Sequence, residues 1–292
     1  MMHTKNAKMD NGAAETLWAG LEERGAGVLL HPSSLPSDLG IGNFGRDAYR
    51  FLDFLEAAGI GYWQVCPLGP TGYGDSPYQA FSTFAGNPYF IDLHPLVSCG
   101  LLEQNDLSPL QLLPNGRVDY GALYERFWPV LKRAWEHYRD SPFEIGGYGA
   151  FEGFVEDNAQ WLEPYALFMA LKEHFEGRAW LEWPMEFRFY EKAVETELPG
   201  SVQDAAGKHS FAQYLFYGQW RRLREAARER GVSIIGDIPI FVALDSADVW
   251  QRPELFQLKK TGEPKAVAGV PPDYFAKDGQ MWGNPLFDWE AH

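Results

Sequence analysis

Gly27-Val-Leu-Leu-His31, Gly45-Arg-Asp-Ala-Tyr-Arg-Phe-Leu-Asp-Phe-Leu-Glu-Ala-Ala58 and Tyr62-Trp-Gln-Val-Cys66 follow one another near the start of the chain and decide the fold. The first and third are short apolar runs closed by Pro32 and Pro67, the pattern of buried strands. In the second, Ala48, Phe51, Leu52, Leu55 and Ala58 recur at three- and four-residue spacing, which predicts an amphipathic helix stopped by Gly59. Strand, helix and strand in this compass make a βαβ unit, so the two strands are expected to run parallel with a right-handed crossover. The fold class is α/β.

A second helix is predicted over Phe211–Arg230, with Leu215, Phe216, Trp220, Leu223 and Ala227 on its apolar side and Gly231 ending it. Arg221, Arg222, Arg224, Arg228 and Arg230 crowd its latter half, where cations complement the helix dipole in solvent. Val232–Ile235 reads as a third buried strand. Between Leu93 and about Ser210 the pattern is helical, over Tyr120–Arg139, Phe151–Glu176 and Met185–Glu197, with breakers at Pro142, Gly146, Gly147, Gly177 and Pro184. The domain plan is therefore a polar extension over residues 1–24 and an α/β domain over 25–292, carrying a helical insertion at about 93–210. Trp128, Trp135, Trp161, Trp180 and Trp183 fall at helical spacing and are read as core. Gly40-Ile-Gly42-Asn-Phe-Gly45 matches a dinucleotide fingerprint. It is rejected because Pro32–Leu39 separates it from the strand and no acidic residue ends the next strand; the glycines turn the chain into the helix.

The 292 residues carry 25 Lys and Arg against 40 Asp and Glu, a formal net charge of −15. That balance repels phosphate backbones and anionic surfaces, which excludes nucleic acid and membrane as main partners and favours a neutral ligand. The two cysteines, Cys66 and Cys99, form no disulfide framework or metal pattern. With no signal peptide or long apolar segment, the expectation is a cytoplasmic protein without metal or cofactor. Aromatic residues at 15%, including 11 Trp, favour a stacking surface.

Two loops carry the chemistry. Pro67–Asp92 sets Gly72, Gly74 and Gly86 among Pro67, Pro70, Pro77 and Pro88, a backbone shaped by turns. Its side chains alternate rings (Tyr73, Tyr78, Phe81, Phe84, Tyr89) with small polar groups (Asp75, Ser76, Gln79, Ser82, Asn87). Sugars present apolar faces and hydroxyls together, so this mixture suits one; an ordinary surface loop pinned by its own side chains is the alternative. Gly269–Trp289 repeats the composition. Asp237, just beyond the third strand, either faces a functional mouth or ties down a neighbouring loop.

Gly72-Tyr-Gly-Asp-Ser-Pro-Tyr-Gln79 with Ala85-Gly-Asn-Pro-Tyr89 is the first of three ordered blocks. Gly236-Asp-Ile-Pro-Ile-Phe-Val242 with Asp245-Ser-Ala-Asp-Val-Trp250 is the second, and Pro271-Pro-Asp-Tyr-Phe275 with Gly279-Gln-Met-Trp-Gly-Asn-Pro285 is the third. Through these blocks the sequence resembles the amylomaltases, bacterial 4-α-glucanotransferases, from about Gly25 to Trp289. The resemblance implies a (β/α)8 barrel of which the three strands are the first three. It also implies retaining transfer of α-1,4-glucan segments between maltodextrins. By the same resemblance Ser76 and Tyr78 lie beside the sugars at the cleavage point, Asp75 belongs to the same loop, and Tyr73 stacks further out. Asp237 faces the donor sugar, while Asp273, Tyr274, Phe275, Gln280, Trp282 and Asn284 belong to the loop over the acceptor side.

The family carries its nucleophile in an Arg-x-Asp-His-Phe-Arg-Gly block on the fourth strand, and its other two catalytic carboxylates on later strands. None of these occurs before His292, so no catalytic residue is assigned. The chain is expected to be inactive alone, as the front part of such an enzyme, with a complementary C-terminal half as a possible partner; the alternative is a non-catalytic α-glucan-binding fragment.

Overall fold

The computed structural model describes residues 24–72 and 74–292. The extension expected over residues 1–24 lies outside them but for Arg24, as does Tyr73. Strands β1 (Gly27–Leu29), β2 (Tyr62–Gln64) and β3 (Ser233–Ile235) form one parallel sheet in the order β1-β2-β3. The expected parallel pairing is present, with Gly27 opposite Tyr62, Val28 opposite Trp63 and Leu29 opposite Gln64. The second pair aligns Trp63 with Ile234 and Gln64 with Ile235. Successive strand side chains point to opposite faces. The row Val28-Trp63-Ile234 turns to the helices, where Trp63 is wholly buried and donates its indole N–H to Leu30 O at 2.7 Å. The row Leu29-Gln64-Ile235 turns the other way, leaving Leu29 61% and Ile235 42% exposed.

Helix α1 (Arg46–Ala57) crosses over between β1 and β2, as its apolar stripe predicts. Its entry uses the glycine motif structurally: Gly40 adopts φ 82°, and a Cβ on Gly42 would lie 2.0 Å from Pro32 O. Three longer helices follow, α2 (Tyr120–Asp140), α3 (Phe151–His174) and α4 (Gly200–Glu229). The Asp119 carboxylate caps α2 by accepting from Ala122 N at 3.1 Å.

Three expectations about elements change. The helix expected over Phe211–Arg230 begins at Gly200 and crosses residue 210 without a break. Gly207, a helix-weakening residue in the sequence, lies under the Trp135 ring, where a Cβ would come within 2.4 Å. Conversely, the helix expected over Met185–Glu197 shrinks to Tyr190–Ala193. The Gly269–Trp289 loop contains most of an antiparallel hairpin, β4 (Val267–Val270) with β5 (Gln280–Pro285), hidden by Gly283, Asn284 and Pro285, which strands usually avoid.

The core is strongly aromatic. Around α1, α2, α4 and the sheet, Phe44, Trp63, Phe90, Phe211 and Tyr214 pack together; under α3, Phe168, Trp180, Trp183 and Trp250 form a second cluster. Trp180, Trp183 and Trp250 each donate to a backbone carbonyl, of Leu244, Arg178 and Phe187 respectively. Much of the tryptophan content thus fills the interior rather than a stacking surface.

Candidate functional site

Because β2 and β3 are parallel, the segments that leave their C-terminal ends emerge on one side of the sheet. The segment after β2 is closed into a tight loop by Gly72 N donating to Gln79 O at 3.1 Å and Phe81 N to Pro70 O at 2.9 Å. At its tip Asp75 adopts φ 55°, and the Ser76 hydroxyl accepts from Tyr78 N at 3.3 Å. These turns direct Tyr78 outward, toward the segment that follows β3.

There the Tyr78 hydroxyl donates to Asp237 Oδ2 at 2.8 Å, joining positions 159 residues apart. The hydrogen bond to that carboxylate, then burial and the charge of Asp237, push the phenol up to about 12, and Cys66 adds to the effect. Gln79 Nε2 donates to Asn284 Oδ1 at 2.9 Å, and Asn284 Nδ2 donates to Val242 O at 2.8 Å. Three blocks far apart in sequence therefore meet at one rim: the loop around Tyr78, the turn after β3, and strand β5.

The rim is held from behind by α4. Gln213, wholly buried, donates to Gly86 O at 2.8 Å and accepts from Gly86 N at 2.7 Å. Gln219 grips Asp92 N and O in the same way, at 2.8 Å each. On the other flank Asp248 Oδ2 accepts from Thr83 N at 3.0 Å. Lys172, on α3, donates to Asp245 Oδ2 at 2.6 Å and to the carbonyls of Gly177 and Arg178.

The remaining predicted residues divide. Trp282 is 42% exposed and donates to Gln280 Oε1 at 3.1 Å, both on β5 beside the rim. Asn284 is buried, its amide engaged as the strut just described. Asp75 lies toward Tyr89 and Tyr120, whose hydroxyls its charge helps to raise, and burial raises its own carboxyl. The Asp273 carboxylate accepts from Phe275 N at 2.9 Å and Ala276 N at 2.7 Å, which pins the hairpin tip. Tyr274 and Phe275 project from that tip, 96% and 91% exposed, in edge contact with each other. Gln79, named in the sequence among the loop's polar groups, serves as a strut to Asn284, and sequence reasoning missed Cys66 as a rim residue. The signal for Cys66 was its position at the end of the second predicted strand.

The concavity between the Pro67 and Asp237 segments measures only about 80 Å³, against the 300–1,000 Å³ usual for enclosed ligand sites. Larger grooves lie elsewhere. A ligand at Tyr78 and Asp237 would rest on an open rim, with rings available for apolar sugar faces and one carboxylate for hydroxyls. No helix among the described residues is long and apolar enough to cross a membrane.

A family model described as 4-alpha-glucanotransferase matches residues 30–292. The 4-alpha-glucanotransferase of Thermus thermophilus is 51% identical over 270 residues, covering 92% of this chain and 53% of that protein. The Aquifex aeolicus protein of the same name is 45% identical over 269 residues, covering 91% and 53%. Among solved structures, the amylomaltase from Streptococcus agalactiae in complex with acarbose superposes with a TM-score of 0.84 at 41% identity, over 92% of this chain and 54% of that one. The chain spans about half the length of the curated relatives it matches.

Proposed function

Since the chain belongs to the 4-alpha-glucanotransferase family, we propose that it furnishes the glucan-holding rim of an α-1,4-glucan transfer site and does not itself carry the groups that break the glycosidic bond. Its three parallel strands stand, in this reading, as the first three of a (β/α)8 barrel. The observation that carries the reading is the Tyr78–Asp237 hydrogen bond at the sheet's C-terminal end, where α/β folds gather ligands. Tyr78 and Trp282 offer rings to pyranose faces, and Asp237 offers a carboxylate to donor-sugar hydroxyls, with Ser76 and Gln280 at the margins. Tyr274 and Phe275, free at the hairpin tip, would close over the acceptor side.

Retaining transfer needs two carboxyl groups about 5–5.5 Å apart, one attacking the anomeric carbon and one protonating the departing oxygen, then deprotonating the incoming hydroxyl. Of the carboxylates near the rim, Asp237 is bonded to Tyr78, Asp245 to Lys172, Asp248 to Thr83 N and Asp273 to its own loop, which leaves Asp75 alone without a side-chain hydrogen bond among the described residues, and a single carboxylate is not the pair that the reaction needs. The chain is therefore assigned to holding glucan, with the displacement dependent on groups from outside it. Its free thiols, Cys66 and Cys99, suit a reducing cytoplasm.

Tryptophan fluorescence titrated with maltoheptaose or acarbose tests the binding half: a saturable change, weakened by Asp237→Asn, is expected. Incubation with maltotriose tests the other half, and should yield neither glucose nor longer maltodextrins. Disproportionation by the purified chain would refute the division of roles.

A further inference from the structure

In the β4–β5 hairpin Gly269 pairs with Met281 and Val267 with Pro285, so the step from 267 to 269 on β4 faces the longer step from 281 to 285 on β5. The extra length forms a bulge over Trp282, Gly283 and Asn284, and a bulge bends its strand and re-aims the side chains. Gly283 makes the bend at φ 79°, and a Cβ there would meet nothing within 4 Å, so the glycine answers to backbone conformation alone. The bend delivers its two flanking side chains to different surroundings. Asn284 is 4% exposed, its amide held between Gln79 Nε2 at 2.9 Å and Val242 O at 2.8 Å, whereas Trp282 is 42% exposed. Gln79 is fixed at its own root, its N–H donating to Ser76 O and its carbonyl accepting from Gly72 N, each at 3.1 Å. The residue before it is Tyr78, whose ring stands outward at the rim, 48% exposed. One chain of contacts therefore runs from the Tyr78 loop through Gln79 and Asn284 to the bulge that carries Trp282.

We propose that Gln79, Gly283 and Asn284 are positioning residues that set the place of the Trp282 ring relative to the Tyr78 ring, so that both rings engage one glucan chain at once and the rim discriminates by chain length. The inference rests on the reading of Tyr78 and Trp282 as platforms for pyranose faces, and adds what decides their spacing. Because a bulge interrupts the ladder, the pairing of β5 with β4 does not by itself fix Trp282, and the buried Asn284 amide supplies the missing restraint. A glucan long enough to reach both rings makes its second contact intramolecularly, which raises its affinity as long as the spacing is held. A short sugar touches one ring and gains nothing from the strut. Length preference is thus assigned to hydrogen bonds behind the rim, acting through Trp282, rather than to any group that touches the sugar.

The test measures maltose and maltoheptaose binding to the full 292-residue chain by calorimetry. The unaltered chain should hold maltoheptaose about tenfold or more tighter than maltose. Gln79→Met keeps the side chain's length and removes its donor; it should weaken maltoheptaose by about five- to tenfold and change maltose by less than about twofold. In a Trp282→Ala background the same substitution should cost maltoheptaose nothing further, since Gln79 acts through that ring. The bulge gives a second route: Gly283→Val, which resists a positive φ, should reproduce the loss, and Gly283→Asn, which tolerates one, should retain binding. If Gly283→Val fails to fold, the Gln79→Met cycle decides alone. Equal weakening of both sugars by Gln79→Met, no weakening of either, or an undiminished effect without Trp282 would each overturn the proposal. If the unaltered chain binds neither sugar, the rim assignment falls and the proposal with it; if maltoheptaose binds but Gln79 and Trp282 act independently, the rim stands and only the positioning role fails.

Discussion

Replacing Gln213 by Met isolates how the α4 glutamines hold the rim. Methionine matches glutamine in length and fills its space, but neither donates nor accepts usefully to a peptide group. The wild-type amide closes two bonds with Gly86, at 2.7 and 2.8 Å, in a place with no solvent exposure. The substitution leaves a buried N–H and a buried C=O without partners, each costing roughly 1–3 kcal/mol, so about 2–6 kcal/mol in all. Conserved volume leaves little room for a rescuing water, which places the expected value near 3–4 kcal/mol. That is a large fraction of a typical stability of about 5–15 kcal/mol. Urea unfolding followed by far-ultraviolet circular dichroism should show a midpoint lower by roughly 1 M, with slopes unchanged. Gln203→Met is the control: it lies on the same helix but is exposed, bonding only Leu198 O at 3.0 Å, and should change stability by less than about 0.5 kcal/mol. Equal effects of the two substitutions would refute the argument that α4 clamps the loop through its buried amide.

Tyr78→Phe keeps the ring and removes the donor to Asp237; with the bond at an exposed rim, stability should move by less than about 0.5 kcal/mol, while maltoheptaose affinity falls. Ultraviolet titration of Asp237→Asn should bring the Tyr78 phenol down from about 12 toward its ordinary 10.0; an unmoved phenol would contradict the pairing. Gly86→Ala places a Cβ within 2.1 Å of the Phe216 ring, and overpacking of this kind should lower stability by about 1–3 kcal/mol in a thermal melt. His31 is held by burial at about 4 against an ordinary 6.5. The folded chain thus binds fewer protons than the unfolded chain, and this contribution is fully present above pH 6.5 and lost as pH falls toward 4. The shift converts to about 3 kcal/mol, reduced to about 2 kcal/mol by the ring's partial exposure. A chain carrying His31→Leu should lose that part of its pH dependence, and an identical pH slope in both chains would count against it. Glu173 acts at lower pH: burial would raise it, but the hydrogen bond of His209 and the charge of Lys208 hold it near 2. Its contribution is present above 4.5 and lost only between 4.5 and about 2.

The sheet was legible because its signal is local. Three apolar runs and the stripe of α1 are each contained in a few residues, and parallel pairing follows from the length of the crossover. The hairpin β4–β5 was not, because strands containing Gly283, Asn284 and Pro285 contradict propensity and are held by distant partners, such as Gln79 on Asn284. The same distance rule separates the site residues. Composition could mark the Tyr78 loop as shaped for a sugar, and a strand end could mark Asp237, but composition alone left open whether Asp237 faced a mouth or tied down a loop. The structure shows the tie: by accepting from Tyr78, Asp237 joins the first loop to the segment that follows the third strand. Asn284 shows the converse. Its place in a recognisable block suggested contact with ligand, yet its buried amide spends both ends on protein, because a rim built from three separate segments needs internal struts as much as it needs exposed groups. A sequence block fixes which residues gather at such a rim; only the hydrogen-bond partners decide which of them are left free at it.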